Sequence, residues 1–268
     1  KLVLLVNLLG NPNAFDQILP ICKERDILVM EDNCESLGGV YNHKNLGTFG
    51  ILGTYSSFYS HHICTMEGGM VVTNDRELFE YMLSIRAHGW TRNLPEDSVI
   101  CEKNKEPFYE SFHFIVPGFN LRPLELEGAI GIEQLKKLDR MVAIRRENAA
   151  YFCEQMKGFP QLRIQKEMGD SSWFGFAIIL DGEWKGKRGQ VIQELQRAEI
   201  EVRPIVAGNF TRNPAIRYLD YHIPAPLIQA DDVHDHGFFV GNHSAYNFEQ
   251  IDYLTEILAA CFRRTTGG

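Results

Sequence analysis

The sequence predicts an α/β protein: a large domain built on a mostly parallel central sheet, followed by a smaller α+β domain. Three observations carry this. Two short apolar runs, Leu2 to Leu9 and Ile27 to Met30, flank a segment whose apolar residues Phe15, Ile18, Leu19, Ile21 and Cys22 recur at helical spacing. That is a βαβ unit, which brings its strands in parallel. A long helical pattern then opens at Asp139 and marks a change of domain. Beyond it, short strands and helices alternate. The domains are placed at 1–138 and 139–268. With 268 residues, 44% of them apolar, the chain has enough material for two modest cores.

In order, the run Leu2 to Leu9 reads as a strand buried on both faces. Gly10-Asn11-Pro12-Asn13 is a turn, and Asn13 is placed to cap a helix running to about Lys23. Ile27 to Met30 is a second buried strand, ended by Glu31-Asp32. Glycines punctuate the segment up to a strand at 53–58, and Met70 to Thr73 forms another. Asn74-Asp75 caps a helix to about Arg86. Residues 89–120 are polar, irregular and aromatic-rich, too long for an ordinary connection. Helices follow from Arg122 to about Lys137 and from Asp139 to about Lys157. Strands are expected at 162–164, 173–180, 200–204 and 237–240, with helices at 189–198 and 247–263.

Composition excludes several functions. A net charge of −8 argues against nucleic acid as a main partner, because phosphate-backbone binding needs a basic face. A single bound nucleotide remains compatible with it. No apolar run approaches the roughly 20 residues of a membrane span. The sequence shows no signal-peptide pattern, so the expectation is a cytoplasmic protein with no membrane partner. The six cysteines are scattered without a CxxC, which suits structural thiols in a reducing compartment and gives no sign of a metal site. Lys1 stands directly before a strand-like run, so an N-terminal portion of the natural protein is expected to precede it.

The residues that could carry chemistry gather around Ser56 to Met70. Asp32 ends a strand, the place where open α/β sheets bind ligands. A carboxylate there serves either as a turn cap or as partner to a cation such as a protonated pyridine nitrogen. Ser56, Ser57 and Ser60 could hold a phosphate or simply shape a turn. His61 and His62 are adjacent and on an extended segment point opposite ways, which disfavours a shared metal and favours separate roles. A histidine titrates near neutrality and suits proton transfer. Glu67-Gly68-Gly69 is a tight turn or a close approach of backbone to a ligand. His88-Gly89-Trp90-Thr91-Arg92 joins an imidazole, an indole and a guanidinium, suited to a nucleotide sugar or to packing. Glu201 and Arg203 face the same side of an extended segment, as a substrate-reading pair or a surface ion pair. No lysine occurs between Lys44 and Lys103.

On these residues the chain resembles the pyridoxal-phosphate-dependent sugar aminotransferases and dehydratases of the aspartate-aminotransferase fold (fold type I; DegT/DnrJ/EryC1/StrS type). The matching elements are Glu31-Asp32, Gly47-Thr48-Phe49-Gly50, Ser56 to Phe58, Glu67-Gly68-Gly69, Pro117 to Arg122 and Gly128 to Gly131. The resemblance covers essentially the whole chain. The family places a cofactor lysine six residues before Glu67 and 29 after Asp32, and here that position holds His61. The family's following asparagine is replaced by His62, to which no role is assigned.

The resemblance implies that Asp32, Glu35, Ser56 and Asn120 contact the cofactor. Glu35 sits where many relatives carry Gln or His beside the ring. It implies His61 as the catalytic residue, and His88, Trp90, Glu201 and Arg203 at the substrate. Losing the lysine argues against transamination as the net reaction. Dehydratase members that carry histidine there use pyridoxamine 5'-phosphate and remove the C3 hydroxyl of a nucleotide-linked 4-keto-6-deoxyhexose. Val6 to Asn13, Arg86 to Asn93 and Arg203 to Phe210 look like the GDP-sugar member. The cysteine cluster of the CDP-sugar member, which binds iron–sulfur, is absent. The resemblance further implies L-glutamate as amino donor and a homodimer in which Asn120 reaches across the interface, in the biosynthesis of lipopolysaccharide O-antigen deoxysugars. The competing readings are a CDP-sugar-type dehydratase, a nucleotide-sugar aminotransferase, and an inactive relative that only binds a nucleotide sugar.

Overall fold

The computed structural model describes residues 1–265. The chain forms two compact units. The first takes Lys1–Leu8, Pro12–Leu138 and Met168–Asp170; the second takes Leu9–Asn11, Asp139–Glu167 and the chain from Ser171 onward.

The first unit runs β1 (Leu2–Val6), α1 (Phe15–Glu24), β2 (Leu28–Asp32), the short hairpin β3 (Val40–Tyr41) and β4 (Lys44–Asn45), β5 (Leu52–Ser56), β6 (Gly69–Val72), α2 (Arg76–Ile85), α3 (Pro107–Glu110) and α4 (Glu125–Leu135). Its main sheet has the order β1-β2-β5-β6. The first three strands are parallel, as the βαβ pattern requires, and β6 returns antiparallel beside β5. In register, Val6 lies beside Asp32 and Asp32 beside Thr54, so β1 and β2 end level and β5 runs two residues further, to Ser56. Phe15 and Leu19 of α1 pack with Leu5, Tyr41, Leu46 and Phe49 on one face. Asp75 caps α2 as expected, its side chain accepting the Leu78 N–H at 3.0 Å.

The second unit begins with α5 (Leu138–Met156) and continues with β7 (Leu162–Ile164), β8 (Gly175–Leu180), α6 (Arg188–Arg197), α7 (Ile228–His236), β9 (Gly237–Gly241) and α8 (Phe248–Thr265). The three strands form an antiparallel sheet with β8 in the middle. Phe152, Ile178, Leu180, Val191, Leu195, Phe238 and Leu258 are fully buried in its core. Among the described residues no helix is long and apolar enough to cross a membrane, and no group of three or more His, Cys, Asp or Glu is placed to hold a metal ion.

Five sequence expectations need correction. β1 is an edge strand with Leu2, Leu4 and Val6 about half exposed, not buried on both faces. The apolar run Met70-Val71-Val72 that leaves the histidine segment also reads as a buried strand, yet β6 is exposed along its length. A continuous apolar run records what a strand could bury, not what covers it. Asn13 does not cap α1. Its side-chain amide instead donates to Val6 O and Asn7 Oδ1, both at 2.9 Å, closing the turn after β1. Residues 200–204 form no strand; only Arg203 pairs, through a single bridge to Phe239. Between the expected strands at 200–204 and 237–240 the sequence reads as a loop, yet it contains the helix α7.

Candidate active site

The parallel strands deliver Asp32 and Ser56 as the last residues of β2 and β5. Strand alternation then divides the acidic pair. Glu31 points into the unit and is fully buried, whereas Asp32 is part-exposed. Glu31 accepts the backbone N–H groups of Gly47 (2.7 Å), Phe49 (2.5 Å) and Gly50 (2.9 Å), and the Asn7 amide at 3.3 Å. The Gly-Thr-Phe-Gly turn is therefore a nest for an internal carboxylate. Asn7 also donates to Asn33 Oδ1 at 2.8 Å, and Ser36 bonds the same oxygen. Glu31, Asn33 and Asn7 thus fix the strand end on both sides of Asp32.

Asp32 Oδ1 accepts the Cys34 N–H at 3.0 Å. Burial pushes the Cys34 thiol up to about 12, and the thiol's hydrogen bond to Asp32 and the Asp32 and Glu35 charges act in the same direction. Cys34 therefore stays a thiol and is no nucleophile. Glu35, part-buried, reaches this site through its charge.

Ser56 Oγ accepts the Phe58 N–H at 3.2 Å and lies 3.5 Å from His61 Nδ1. His61 is half-buried. Burial lowers its pKa below the ordinary 6.5, against opposing contributions from the Phe58 backbone and the Asp32 charge. It is thus neutral at neutral pH and able to take a proton. His62 is only 1% exposed and packs inside the unit. The two adjacent histidines therefore have different surroundings, as their sequence suggests.

A second cluster holds His88, Trp90 and Asn120. Ala87 bridges to Asn120 and Trp90 to Phe114, while the His88 N–H donates to Phe119 O at 2.8 Å. The His88 and Trp90 rings meet edge-on at 5.4 Å, and the Arg92 guanidinium lies 4.1 Å over the indole. Trp90 Nε1 is buried with no hydrogen-bond partner among the described residues. Asn120 is exposed and accepts from Arg122 at 3.2 Å. In the second unit, Arg203 Nε donates to Glu201 at 2.8 Å and both side chains are exposed, the geometry of a surface ion pair.

Asp32, Ser56 and His61 are thus brought together: a carboxylate and a hydroxyl at strand ends, and an imidazole on the following loop. This donor set fits a ligand that carries both a protonated ring nitrogen and a phosphate. Sequence reasoning missed Glu31, Asn33 and Asn7 as its supports. The signal was present, because two consecutive strand residues cannot both face one site.

Comparison with known proteins places the chain in a family. The DegT/DnrJ/EryC1/StrS aminotransferase family matches residues 1–259. The chain is 53% identical over 260 residues to the GDP-4-keto-6-deoxy-D-mannose 3-dehydratase of Escherichia coli O55:H7 (strain CB9615 / EPEC), covering 96% of this chain and 67% of that protein. It is 52% identical to the enzyme of that name from Yersinia pseudotuberculosis, covering 96% and 66%. The chain spans about two thirds of the length of these relatives. The E. coli enzyme solved with hydrated PLP bound superposes with a TM-score of 0.93 at 53% identity, over 96% of this chain and 67% of that one. The match over nearly the whole chain, on the fold and at this level of identity, leads to one conclusion: the chain belongs to the DegT/DnrJ/EryC1/StrS aminotransferase family.

Proposed function

We propose that this chain carries the active site of a 3-dehydratase that removes the C3 hydroxyl of GDP-4-keto-6-deoxymannose, with pyridoxal phosphate used in its pyridoxamine form. The observation that carries the reading is His61 in the lysine position, 3.5 Å from Ser56 and within the field of Asp32. Two similar enzymes bear that activity in their names, and one such structure holds GDP-perosamine and another a trapped PLP–glutamate adduct.

In this reading the first unit holds the cofactor. The Asp32 carboxylate would keep the pyridine nitrogen protonated, the Ser56 hydroxyl would donate to the phosphate, and Glu35 would serve near the ring. When bound there, the cofactor supplies an amine for the sugar ketone and a ring able to accept an electron pair. The chain's own part is the proton. His61, neutral through burial, takes a carbon-bound proton and, once cationic beside Asp32, gives it to the departing C3 oxygen. A lysine in its place would tie the cofactor to the chain; an imidazole leaves it as a separate amine. His88, Trp90, Glu201 and Arg203 are assigned to the nucleotide sugar, L-glutamate to restoring the amine, and Asn120 to a second copy's site in a homodimer.

Incubation with pyridoxamine phosphate and GDP-4-keto-6-deoxymannose tests this by mass spectrometry. The expected product is the sugar with its C3 hydroxyl replaced by hydrogen, lighter by one oxygen atom, with ammonia released and the cofactor recovered as pyridoxal phosphate. A product carrying an amino group at C4 would make the chain an aminotransferase, and binding without turnover would make it a sugar-binding relative.

A further inference from the structure

Neither Ser57 nor Thr65 has a part in the roles above, yet they are only 6% and 5% exposed. They stand at the two ends of the segment that carries His61. The main chain closes there twice, through Ser57 N–H to Gly68 O (3.1 Å) and Thr65 N–H to Ser57 O (2.8 Å). The side chains close it again. Ser57 Oγ and Thr65 Oγ1 are 2.6 Å apart, and Thr65 Oγ1 is 2.5 Å from Glu67 O.

Each hydroxyl has one proton to give. Both short contacts are satisfied in one arrangement: Ser57 donates to Thr65, and Thr65 donates to the Glu67 carbonyl. That carbonyl is held by the turn that follows it. Gly68 has φ +111°, and a Cβ there would stand 3.2 Å from Ser57 Oγ and 3.3 Å from Thr65 Oγ1. The glycine after Glu67 is thus accounted for by the hydroxyl pair, with no ligand required.

We propose that Ser57 and Thr65 are positioning residues whose paired hydroxyls clasp the neck of the 57–68 loop and so hold His61 against Ser56 and Asp32. This rests on the reading of His61 as the group that moves the proton. Ser57 follows Ser56 directly, so the clasp and the Ser56–His61 contact share one strand end. With the neck closed, the ring has one placement; with it open, water reaches the ring and the reacting geometry is lost.

Thr65→Val tests the clasp, because it removes the hydroxyl and keeps the methyl that lies 3.3 Å from the Cβ position of Gly131. The first readout is the NMR titration of His61 in the chain without cofactor or sugar, identified among the nine histidines by its loss in His61→Asn. In the native chain burial holds this titration below 6.5, with Asp32 opposing. In Thr65→Val it is expected to rise toward 6.5. The second readout is kinetic: kcat falls about ten- to a hundredfold while KM changes less than about threefold. Thr65→Ser restores both. An unmoved titration in a folded Thr65→Val overturns the clasp. Should that variant not fold, Ser57→Ala, which leaves the Thr65 bond to Glu67 in place, is read by the same titration and the same criterion. A titration that moves in a chain whose native form does not dehydrate the sugar upholds the clasp and sinks the proposed reaction instead.

Discussion

The two units spend their interiors differently. The second buries an apolar cluster around β8, with Phe152 stacked on Phe176 at 4.2 Å and Leu258 and Phe238 fully enclosed. It encloses polar side chains too, such as Asn148 and Asn242, but these tie loops to α5 at its margin. The first unit has a smaller apolar cluster around Phe15, Tyr41 and Leu46, and adds to it the enclosed polar side chains of Asn7, Glu31, Asn33, Ser57 and Thr65 at its strand ends. An apolar cluster contributes stability without demanding one geometry. A hydrogen-bonded network contributes less net stability but admits a single arrangement. The unit with the candidate site adds the second kind of interior beside its apolar cluster, as a site that must hold a carboxylate, a hydroxyl and an imidazole in register requires.

The comparison is broken most sharply at His61. Replacing it with Asn should lower kcat by about 10²- to 10⁴-fold, while equilibrium unfolding stays near native, because the ring is half-exposed and outside the network. Its titration adds a pH test. Burial places the folded value below 6.5, so the imidazole stays neutral, and a base, to lower pH than an ordinary histidine. The acid limb of kcat/KM should therefore fall below pH 6.5. The sign for stability is the same. As pH drops below 6.5 the unfolded chain binds the proton first, so native stability declines through the folded value and is unaffected above 6.5. An acid limb above 6.5 that disappears in His61→Asn would refute the electrostatic account.

In the second unit, Phe152→Ala should cost about 3–5 kcal/mol in denaturant unfolding, through lost burial and the cavity left against Phe176. The proposed site should keep its ligand affinity in the folded fraction. A Phe152→Ala variant that loses pyridoxal phosphate binding while still folded would remove the division of labour between the units.

Glu31→Gln probes the polar interior. It is nearly isosteric, but it trades a charge accepting four donors for an amide that turns one NH2 toward them. A cost of about 2–3 kcal/mol is expected, together with weakened pyridoxal phosphate binding measured by absorbance, since the same strand end carries Asp32. Unchanged binding would mean that Glu31 serves the fold alone.

These pairs show what the sequence could tell. The βαβ unit and the parallel sheet are local or nearly periodic, so pattern reveals them; the Asp32-to-His61 spacing carries meaning only through the family resemblance. The role of Glu31 is not local: its partners lie at positions 47–50, brought to it by tertiary folding. The Ser57–Thr65 pair is hidden for the same reason. Helix α7 escaped notice because Ile228 and Val233 are its only large apolar residues, too few to show a helical period. Residues 200–204 have strand-like composition, yet pair only at Arg203, since β-propensity depends on an available neighbour.

The smallest expected effect concerns the exposed apolar face. Leu4 is 52% exposed on the edge strand β1. If that face stays open in solution, Leu4→Ser should alter stability by no more than about 0.5 kcal/mol, the range of ordinary surface changes. If a partner covers it, the same substitution removes buried apolar area and should cost about 1.5–3 kcal/mol. Concentration separates the causes. A loss that grows on dilution marks a second copy of this chain as the cover, because association stabilises by mass action. A large loss independent of concentration would place the cover within the chain itself. The contrast between the covered strands β8 and β9 of the second unit and the open edge strand β1 of the first would then be one of degree. A small loss would leave it one of kind.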